Sequence, residues 1–384
     1  MKKSLVFILA FVLLCFAACT PTPVENTTAV PTTTEAPANL GIKNIVLIIG
    51  DGMGVNQVEA TQIVNGEKFS FTQWDHTMVN TNSLNSNYEP LNTTDSAASS
   101  TALATGILTT NGHIGQSANG DNLKTILDYA KEKGKSTGVV TTDAIYGATP
   151  GGFSGHSGSR YNYEDILFTQ LQSDIDLLCA RYAAEVVDKR ADIKNAGYDF
   201  SSIMGNAQKS LESEKAFWLL NIADYNATDK LATVAEMSLN FLDKDPDGFV
   251  LMIEQAQIDH HGHSNEFEGI VKCVNVLNET VESVMNWIGD REDTVVLITA
   301  DHETGGLQIS REPGFLTSYP CADGSSIYYN FTTSNHSNSE VYLFTHGFEP
   351  NFEQYYTEER PAAIKNTNIF DMMLDILNDP LQED

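Results

Sequence analysis

Positive charge is scarce in this chain of 384 residues. It carries 22 lysine and arginine residues against 51 aspartate and glutamate residues, which gives a formal net charge of −29 at pH 7. Because proteins that bind nucleic acid neutralise its phosphates with a basic face, this balance excludes nucleic acid as an expected partner. The same charge would repel a small anionic ligand unless bound cations reversed the local field.

Cysteine is also scarce, with five residues in the whole chain and no C-x2-C pair of the kind that holds structural zinc. Cys179, Cys273 and Cys321 lie far apart beyond the N-terminal segment. Their odd number and wide spacing leave any disulfide pairing open. We expect them to be structural residues that are buried or partly paired.

Long apolar runs are missing except near the N-terminus, where the run 5–16 follows two lysines and precedes two alanines. This order of basic, apolar and small residues is typical of a secretory signal peptide. The apolar run is short for a membrane-spanning helix. The segment 1–19 is therefore predicted to be a signal peptide that directs export to the periplasm or the cell surface.

Cys19 ends this segment directly after small residues, an arrangement that resembles the cleavage box of bacterial lipoproteins. The resemblance implies a lipid on Cys19 that anchors the mature protein to a membrane. Phe16 stands where a leucine-like residue is usual, so a plain secretory signal is the alternative. Residues 20–40 contain four prolines and seven threonines and no aromatic residue, lysine or arginine, a composition that predicts an extended linker.

The remaining residues, 41–384, show no repeat and no long linker, so one domain is predicted. Short apolar runs typical of buried strands alternate with patterns typical of helices. Strands are predicted at 44–50, 136–142, 216–220, 248–253, 294–299 and 341–344, and helices at 123–133, 163–171, 230–241, 267–288 and 364–377. This alternation predicts an α/β fold with a mostly parallel central sheet and helices on both faces. The less regular stretches 175–213 and 313–335 are expected to be insertions.

Acidic residues and a histidine follow three of the predicted strands. Asp51 and Glu254 come directly after two of these apolar runs, and the pair Asp301-His302 follows a third one after Ala300. Ligands of parallel α/β sheets bind beyond the carboxyl ends of the strands. A single aspartate at a strand end is often only a turn former, but the coincidence of three predicts a shared site at one edge of the sheet.

The stretch 254–263 is the most informative part of the chain. Three of the nine histidines fall within its last four positions, and Asp259 lies four residues before His263. One helical turn would place Asp259 and His263 on the same face. A carboxylate and an imidazole that converge are typical zinc ligands. The alternative is a polar loop with chance histidines.

Ser96 lies in the small-residue segment 94–102, which predicts a turn that opens a tightly packed helix. Free backbone amides and the helix dipole favour an anion at such a helix N-terminus, so a serine there is well placed to attack phosphorus. An ordinary N-cap serine is the alternative.

Taken together and in order, these motifs resemble those of the alkaline phosphatase family, over residues 44–347. They are Asp51-Gly52-Met53-Gly54, Asp95-Ser96-Ala97-Ala98, Ala148-Thr149-Pro150 with Arg160, Glu254 with Asp259 and His263, Thr299-Ala300-Asp301-His302-Glu303, and His336. The resemblance implies an alkaline phosphatase-like fold and a metal-dependent phosphomonoesterase that acts on small phosphate monoesters. Many members of the family are homodimers.

The resemblance also implies a ligand set for three metal ions. One Zn²⁺ would be held by Asp259, His263 and His336, and a second by Asp51, Asp301 and His302 together with Ser96. A third ion, usually Mg²⁺, would be held by Asp51, Thr149 and Glu254. His336 is the least secure ligand, since a histidine in a polar loop is often only a surface residue.

The catalytic roles implied by the resemblance fall on three residues. Ser96 would be the nucleophile that forms a phosphoserine intermediate, Arg160 would grip two phosphate oxygens, and Asp95 would orient Arg160. The chemistry agrees with these roles, because two cations can stabilise both the attacking and the leaving oxygen. A guanidinium matches two phosphate oxygens better than lysine does.

The chain departs from the family pattern at Gly147. In well-known members the position two before the threonine of the Ala148-Thr149-Pro150 motif carries an acid or a histidine. The missing side chain predicts weaker binding of magnesium at the third site. His156 and His261 lie close to the motifs, and support of the site and plain packing are both open for them.

Two other classes of function stay open. A phosphodiesterase or a sulfatase of the same superfamily is possible, although such enzymes commonly use threonine or a modified cysteine as nucleophile. A lipoprotein that binds zinc or phosphate without turnover is the other alternative. Ser96, Arg160 and the third-metal set favour hydrolysis of monoesters.

Overall fold

Strands and helices alternate along the chain in the computed structural model, which describes residues 41–87, 89–91 and 93–378. The strands are β1 (Asn44–Gly50), β2 (Asp75–Asn80), β3 (Ser83–Leu84), β4 (Pro90–Leu91), β5 (Ser136–Thr141), β6 (Leu177–Arg181), β7 (Asp199–Ser201), β8 (Ala216–Leu220), β9 (Phe249–Gln255), β10 (Thr294–Thr299), β11 (Glu303–Thr304), β12 (Leu307–Ser310), β13 (Thr317–Pro320), β14 (Ser326–Phe331), β15 (His336–Ser337), β16 (Val341–His346) and β17 (Ala363–Lys365). The helices are α1 (Val55–Asn65), α2 (Ser96–Thr105), α3 (Ile126–Glu132), α4 (Ala148–Ser154), α5 (Tyr163–Gln172), α6 (Ala184–Val187), α7 (Arg190–Asn195), α8 (Met204–Ala207), α9 (Leu231–Leu242), α10 (Gln257–His263), α11 (Phe267–Ile288) and α12 (Thr367–Leu377). The predicted signal peptide 1–19 with its Cys19 and the predicted linker 20–40 lie outside the described residues.

Ten strands form the central sheet in the order β17-β2-β16-β10-β1-β9-β5-β6-β8-β7. Only β16 runs against its neighbours, β10 and β2, and every other adjacent pair is parallel. The predicted α/β fold with a mostly parallel sheet is therefore confirmed.

The central strands are buried along their whole length. All residues of β1, β9 and β10 are buried. Since successive side chains of a strand point to opposite faces of the sheet, both faces must be covered, as parallel sheets require. Their sequences are accordingly continuous apolar runs rather than alternating ones.

Two regions, 175–213 and 364–377, differ from what the sequence predicts. The stretch 175–213 is not an insertion, because β6 and β7 within it extend the central sheet on either side of β8. The stretch 313–335 lies outside the central sheet and forms most of a small antiparallel sheet, β12-β14-β13. The helix predicted at 364–377 begins only at Thr367, because the residues before it form β17.

Cys179, Cys273 and Cys321 are all buried and are free thiols, so none of the three is paired. Within the described ranges, no helix combines the length and the apolar character needed to cross a membrane.

Small residues allow α2 to pass close to α4. All ten residues of α2 are buried, and the Ser100 hydroxyl donates to the Ala148 carbonyl at 3.1 Å. A Cβ added at Gly152 would lie 2.8 Å from the Ser100 Cβ and 3.0 Å from its backbone carbon. The run of serine and alanine in α2 is therefore a packing requirement of the helix that carries Ser96.

Gly152→Ala should force α2 and α4 apart and destabilise the protein by about 1–3 kcal/mol, the usual cost of overpacking. The midpoint of urea unfolding measures this effect. Gly205→Ala in α8 is the matched control, because no atom lies within 4 Å of a Cβ added there. It should be neutral, or stabilising by up to about 1 kcal/mol. Equal midpoints for the two variants would show that the helices are not in close contact.

Candidate active site

Several parallel strands deliver acidic residues to one edge of the central sheet. In the strand register, Ile49 is opposite both Glu254 and Thr299. Asp51 and Asp301 follow two residues beyond Ile49 and Thr299, so they reach the same edge as Glu254. All three acidic residues are buried.

The turn after β1 requires a glycine. Gly52 has φ +70°, and a Cβ at this position would lie 2.8 Å from the Cα of Asp259. Its backbone N–H donates to Asp301 Oδ1 at 3.1 Å. The turn thus brings Asp51, Asp301 and the start of α10 together, which is a physical reason for the Asp-Gly sequence.

His302 is fully buried, and its neighbours determine which ring nitrogen carries the proton. Thr304 Oγ1 donates to Asp259 Oδ1 at 2.5 Å and lies 3.2 Å from His302 Nδ1. The Thr304 hydroxyl proton is already donated to Asp259, so towards His302 the Thr304 oxygen can only accept a hydrogen bond. His302 Nδ1 therefore carries the proton, and the lone pair of the ring is on Nε2. This Nε2 lies 3.2 Å from Asp301 Oδ2, 3.2 Å from Ser96 Oγ and 3.7 Å from Asp51 Oδ1.

These four donor atoms fit one divalent ion. Bonds of roughly 2.0–2.2 Å in a tetrahedral arrangement leave ligand atoms about 3.3–3.6 Å apart, close to the distances around His302 Nε2. Asp51 Oδ1 and Asp301 Oδ2 are buried and have no hydrogen-bond partner among the described residues. Unpartnered buried carboxylate oxygens are costly unless a cation binds them.

Two more histidines present lone pairs to Asp259. His263 Nδ1 is 2.7 Å from the Ser334 carbonyl, and His336 Nδ1 is 2.8 Å from the Thr94 carbonyl. A carbonyl only accepts, so each Nδ1 carries a proton and each neutral ring has its lone pair on Nε2. The two Nε2 atoms are 3.2 Å apart, and they lie 3.4 and 3.6 Å from the Asp259 carboxylate oxygens. This donor set fits a second ion.

His336 is placed by strand pairing rather than by a free loop. Thr304 of β11 pairs with His336 of β15, and the rings of His302 and His336 stack with centroids 3.5 Å apart. Glu303 supports this pairing, because it accepts hydrogen bonds from Ser337 Oγ and from the backbone of Gly306. The two donor sets are therefore adjacent.

A third donor set includes Glu254, whose charge, after burial and the charges of Asp301 and Asp259, contributes to the raised pKa of Asp51. Glu254 is buried and accepts from Thr141 Oγ1. The Thr149 hydroxyl is buried and has no hydrogen-bond partner among the described residues. Carboxylate and hydroxyl oxygens are hard ligands of the kind that magnesium prefers.

Ser96 is the first residue of α2, whose N-cap is Asp95. The Asp95 carboxylate accepts from Ala98 N at 2.9 Å and from Gly112 N, and it also accepts from Arg160 Nη1 at 3.1 Å. Asp95 thus holds the guanidinium at the amide end of α2, next to Ser96. Both features attract an anion.

The structure brings together every site residue predicted from the sequence, and their functional roles stay predictions. The set consists of Asp51, Asp95, Ser96, Thr149, Arg160, Glu254, Asp259, His263, Asp301, His302 and His336. His156 and His261, whose role the sequence leaves open, are not part of this set of residues. His156 Nδ1 bonds to the Gly115 carbonyl, and His261 faces Glu266 and Asp224.

Sequence reasoning missed Thr304 and Asp143. Thr304 links Asp259 to His302, and nothing in its sequence position signals this role. Asp143 lies beside Gly147, since a Cβ at Gly147 would be 2.9 Å from Asp143 Oδ2. Asp143 directly follows the predicted strand 136–142, so the strand-end argument that found Asp51 could have found it too.

Comparison with known proteins identifies one family. A family model described as alkaline phosphatase matches residues 42–216 and 219–374. Alkaline phosphatase 3 of Bacillus subtilis is 31% identical over an alignment of 291 residues, and the match covers 71% of this chain and 63% of that protein. Alkaline phosphatase 4 of the same organism is 30% identical over 289 residues, again 63% of its length. The match thus spans less than two thirds of these relatives.

Solved structures show the same fold. The alkaline phosphatase of the Antarctic bacterium TAB5 superposes with a TM-score of 0.75 at 25% identity, covering 88% of this chain and 98% of that one. A cold-active alkaline phosphatase of Shewanella sp. gives a TM-score of 0.73 at 25% identity, covering 87% and 99%. A variant of the TAB5 enzyme was solved with magnesium bound in its M3 site, and it matches with a TM-score of 0.73 at 26% identity over 88% and 98%.

The buried carboxylates make a prediction for the metal-free protein. Burial raises the pKa of Glu254 from 4.5 to about 8, and burial followed by the charge of Asp301 raises the pKa of Asp51. A carboxyl group with a raised pKa stabilises the fold when protonated and loses that contribution as pH rises. Burial lowers the pKa of His302 well below 6.5, so its contribution is constant above that pH.

Between pH 6.5 and 8 the metal-free protein should therefore lose stability as pH rises, by roughly 1 kcal/mol per pH unit from Glu254. Urea unfolding in the presence of a chelator measures this slope. Glu254→Gln should reduce the slope, and saturating zinc and magnesium should remove it in the wild type. Identical slopes for wild type and Glu254→Gln would contradict the assignment.

Proposed function

This chain belongs to the alkaline phosphatase family, and we propose that it hydrolyses small phosphate monoesters to an alcohol and inorganic phosphate. The observation that carries the proposal is the position of Ser96 Oγ, 3.2 Å from His302 Nε2 at the N-terminus of α2. This places a hydroxyl nucleophile among donor sets that fit three cations. A binding protein without turnover has no need of a hydroxyl at that point.

Two Zn²⁺ ions and one Mg²⁺ ion are the proposed cofactors. Asp259, His263 and His336 would hold one Zn²⁺, and Asp51, Asp301, His302 and Ser96 the other. Asp51, Thr149 and Glu254 would hold Mg²⁺. Bound divalent cations lower the charge repulsion between the nucleophile and a dianionic ester and stabilise both the attacking and the leaving oxygen.

The protein residues position the ester for attack by Ser96. The Asp95 carboxylate takes one Nη1 hydrogen of Arg160, which leaves other N–H groups of the guanidinium to bind two phosphate oxygens. The free amides at the start of α2 face the same anion. The Ser96 oxygen then forms a bond to phosphorus as the bond between phosphorus and the ester oxygen breaks, and the serine proton passes by way of solvent to the departing alcohol. Water next attacks this phosphoserine, releases inorganic phosphate and regenerates the serine hydroxyl.

Export and anchoring are part of the proposal, although they depend on residues outside the described ranges. The N-terminal sequence supports a signal peptide, a lipid on Cys19 and a location in the periplasm or at the cell surface. The intact mass of the mature protein would show a diacylglyceryl modification on Cys19. Homodimer formation, common in the family, is proposed on that resemblance alone, and analytical ultracentrifugation would test it.

Ser96→Ala should lower kcat for p-nitrophenyl phosphate by more than ~10³-fold, because no nucleophile replaces the serine. Binding of inorganic phosphate, measured by calorimetry, should survive. Ser238→Ala is the matched control, since Ser238 is a buried serine whose hydroxyl donates to the Val234 carbonyl within α9. Equal activity of Ser96→Ala and wild type would overturn the role of Ser96.

Substrate comparison separates the related activities. The wild type loaded with zinc and magnesium should have a higher kcat/KM for p-nitrophenyl phosphate than for bis-p-nitrophenyl phosphate or p-nitrophenyl sulfate. Preference for the diester or the sulfate would replace the proposed function by a phosphodiesterase or a sulfatase. No turnover with any of the three would favour a binding protein.

A substitution of Asp143 should alter the third metal site, although Asp143 is not itself a proposed metal ligand. Its backbone N–H donates to Thr141 Oγ1 at 2.9 Å, and Thr141 donates to Glu254. After burial, the charge of Asp143 contributes to the raised pKa of Glu254. Its carboxylate also occupies space next to Gly147, where other members carry a side chain. We infer that Asp143 compensates in part for that missing side chain.

Asp143→Asn should therefore weaken magnesium binding by about 10-fold, the usual effect of losing a group that supports a metal ligand. Magnesium titration of the zinc-loaded protein by calorimetry measures the change. Asp165→Asn, an exposed residue in the first turn of α5, should leave the affinity unchanged. If Asp143→Asn binds magnesium as the wild type does, Asp143 has no role at this site.

A further inference from the structure

His261 belongs to the histidine-rich stretch of the sequence, but its side chain meets residues outside the active site. It lies near Asp224, which follows β8, and Cys273 in α11. One nitrogen, one oxygen and one sulfur atom of these three residues lie within 4.8 Å of one another. Asp224 Oδ1 is 3.7 Å from His261 Nε2 and 3.7 Å from Cys273 Sγ. We call these three residues the Asp224 cluster.

The proton of His261 is placed so that its lone pair faces the cluster. His261 Nδ1 lies 2.8 Å from Glu266 Oε2. The carboxylate accepts from Nδ1–H, which leaves the lone pair on Nε2, the atom nearest to Asp224. A carboxylate that orients a histidine in this way is a common partner of metal-binding histidines.

The ring of His261 is held from both sides. A Cβ added at Gly269 would lie 2.6 Å from His261 Cε1, so the ring rests directly on the backbone of α11. Tyr225 lies on another side, with ring centroids 5.8 Å apart. Gly269 therefore makes room for the imidazole, and the backbone of α11 limits where Nε2 can lie.

We propose that Asp224, His261 and Cys273 bind a divalent ion of the zinc class through Oδ1, Nε2 and Sγ. Bonds of about 2.3 Å to sulfur and about 2.0–2.2 Å to nitrogen and oxygen in a tetrahedral arrangement leave ligand atoms roughly 3.3–3.6 Å apart. The two distances of 3.7 Å are close to this range. Zinc accepts this mixture of ligands, whereas magnesium and calcium prefer oxygen.

A water molecule is the fourth ligand in this proposal. The Asp224 side chain is 39% exposed and that of His261 is 16% exposed, while Cys273 is buried. The cluster thus opens to solvent on the Asp224 side. Burial, followed by the charge of Asp224, raises the pKa of the Cys273 thiol, so binding of the ion must displace a thiol proton to solvent.

The ion would fix the helix that carries two of the proposed catalytic zinc ligands. His261 lies in α10 between Asp259 and His263, and residues two apart on a helix point in nearly opposite directions. A link from His261 to α11 and to the chain after β8 holds α10 from the side that faces away from the active site. The proposal concerns separate ligands and does not depend on the proposed phosphatase activity.

The test uses cobalt in place of zinc in the full chain, because a cobalt–thiolate bond gives a sulfur-to-cobalt charge-transfer absorption in the near ultraviolet. The proposed active-site ligands are nitrogen and oxygen atoms, so they give no such band. Protein with excess Co²⁺ should show the band in the wild type and in Cys321→Ser, and Cys273→Ser should lose it. A wild type without the band, or a band that survives Cys273→Ser, overturns the proposal.

A second variant keeps the test decisive if Cys273→Ser does not fold. Gly269→Ala retains the thiol but displaces His261, so it should weaken the cobalt affinity read from the band by at least ~10-fold. Elemental analysis at a buffered free zinc concentration close to the wild-type dissociation constant of this cluster should give less zinc per chain for Gly269→Ala than for wild type. Unchanged affinity and zinc content would show that the atoms form only a hydrogen-bonded cluster.

Discussion

Four carboxylates share the carboxyl edge of the central sheet, and the burial of their negative charge is the constraint on which the site depends. Asp51, Glu254, Asp259 and Asp301 are all buried. The nearby cationic side chain of Arg160 is already paired with Asp95. Buried like charges raise one another's pKa and destabilise the fold. Divalent cations would resolve this conflict, and the proposed phosphatase activity needs them as well, because an acidic chain otherwise repels an anionic ester.

The fold fixes these donors through backbone groups as much as through side chains. Carbonyl oxygens of Ser334 and Thr94 hold the Nδ1 protons of His263 and His336, and the Gly52 amide holds Asp301. Each of these backbone groups belongs to a turn or loop next to a strand or helix of the site. The lone pairs on Nε2 therefore converge because the chain folds, before any ion binds. A site preorganised in this way avoids the cost of ordering its ligands on binding.

Much of the fold and of the candidate site could be predicted from the sequence, because the residue patterns that indicate them are local. Buried parallel strands are apolar runs in the sequence, and acidic residues that follow such strands must meet at one edge of the sheet. This argument predicts that Asp51 and Asp301 belong to the site. The four-residue spacing of Asp259 and His263 suffices for one helix face. His336 needed the family resemblance, since the pairing of β11 with β15 joins segments 32 residues apart. The strands β6 and β7 were missed within the irregular stretch 175–213. Thr304 was missed because its hydroxyl joins His302, two residues away, to Asp259, which lies 45 residues away in the sequence.

In the helix α10, the spacing of the residues alone predicts which side chains share a face. It has seven residues, too few to be stable alone, so contacts on its faces must hold it. With about 100° of rotation per residue, Asp259 and His263 share one face, and His261 between them must take the other. One histidine-rich motif therefore serves two sides of a helix. If only the active site constrained this helix, its far side would need no more than apolar contacts. The convergence there of an oriented imidazole, a carboxylate and a thiol is what packing alone does not require.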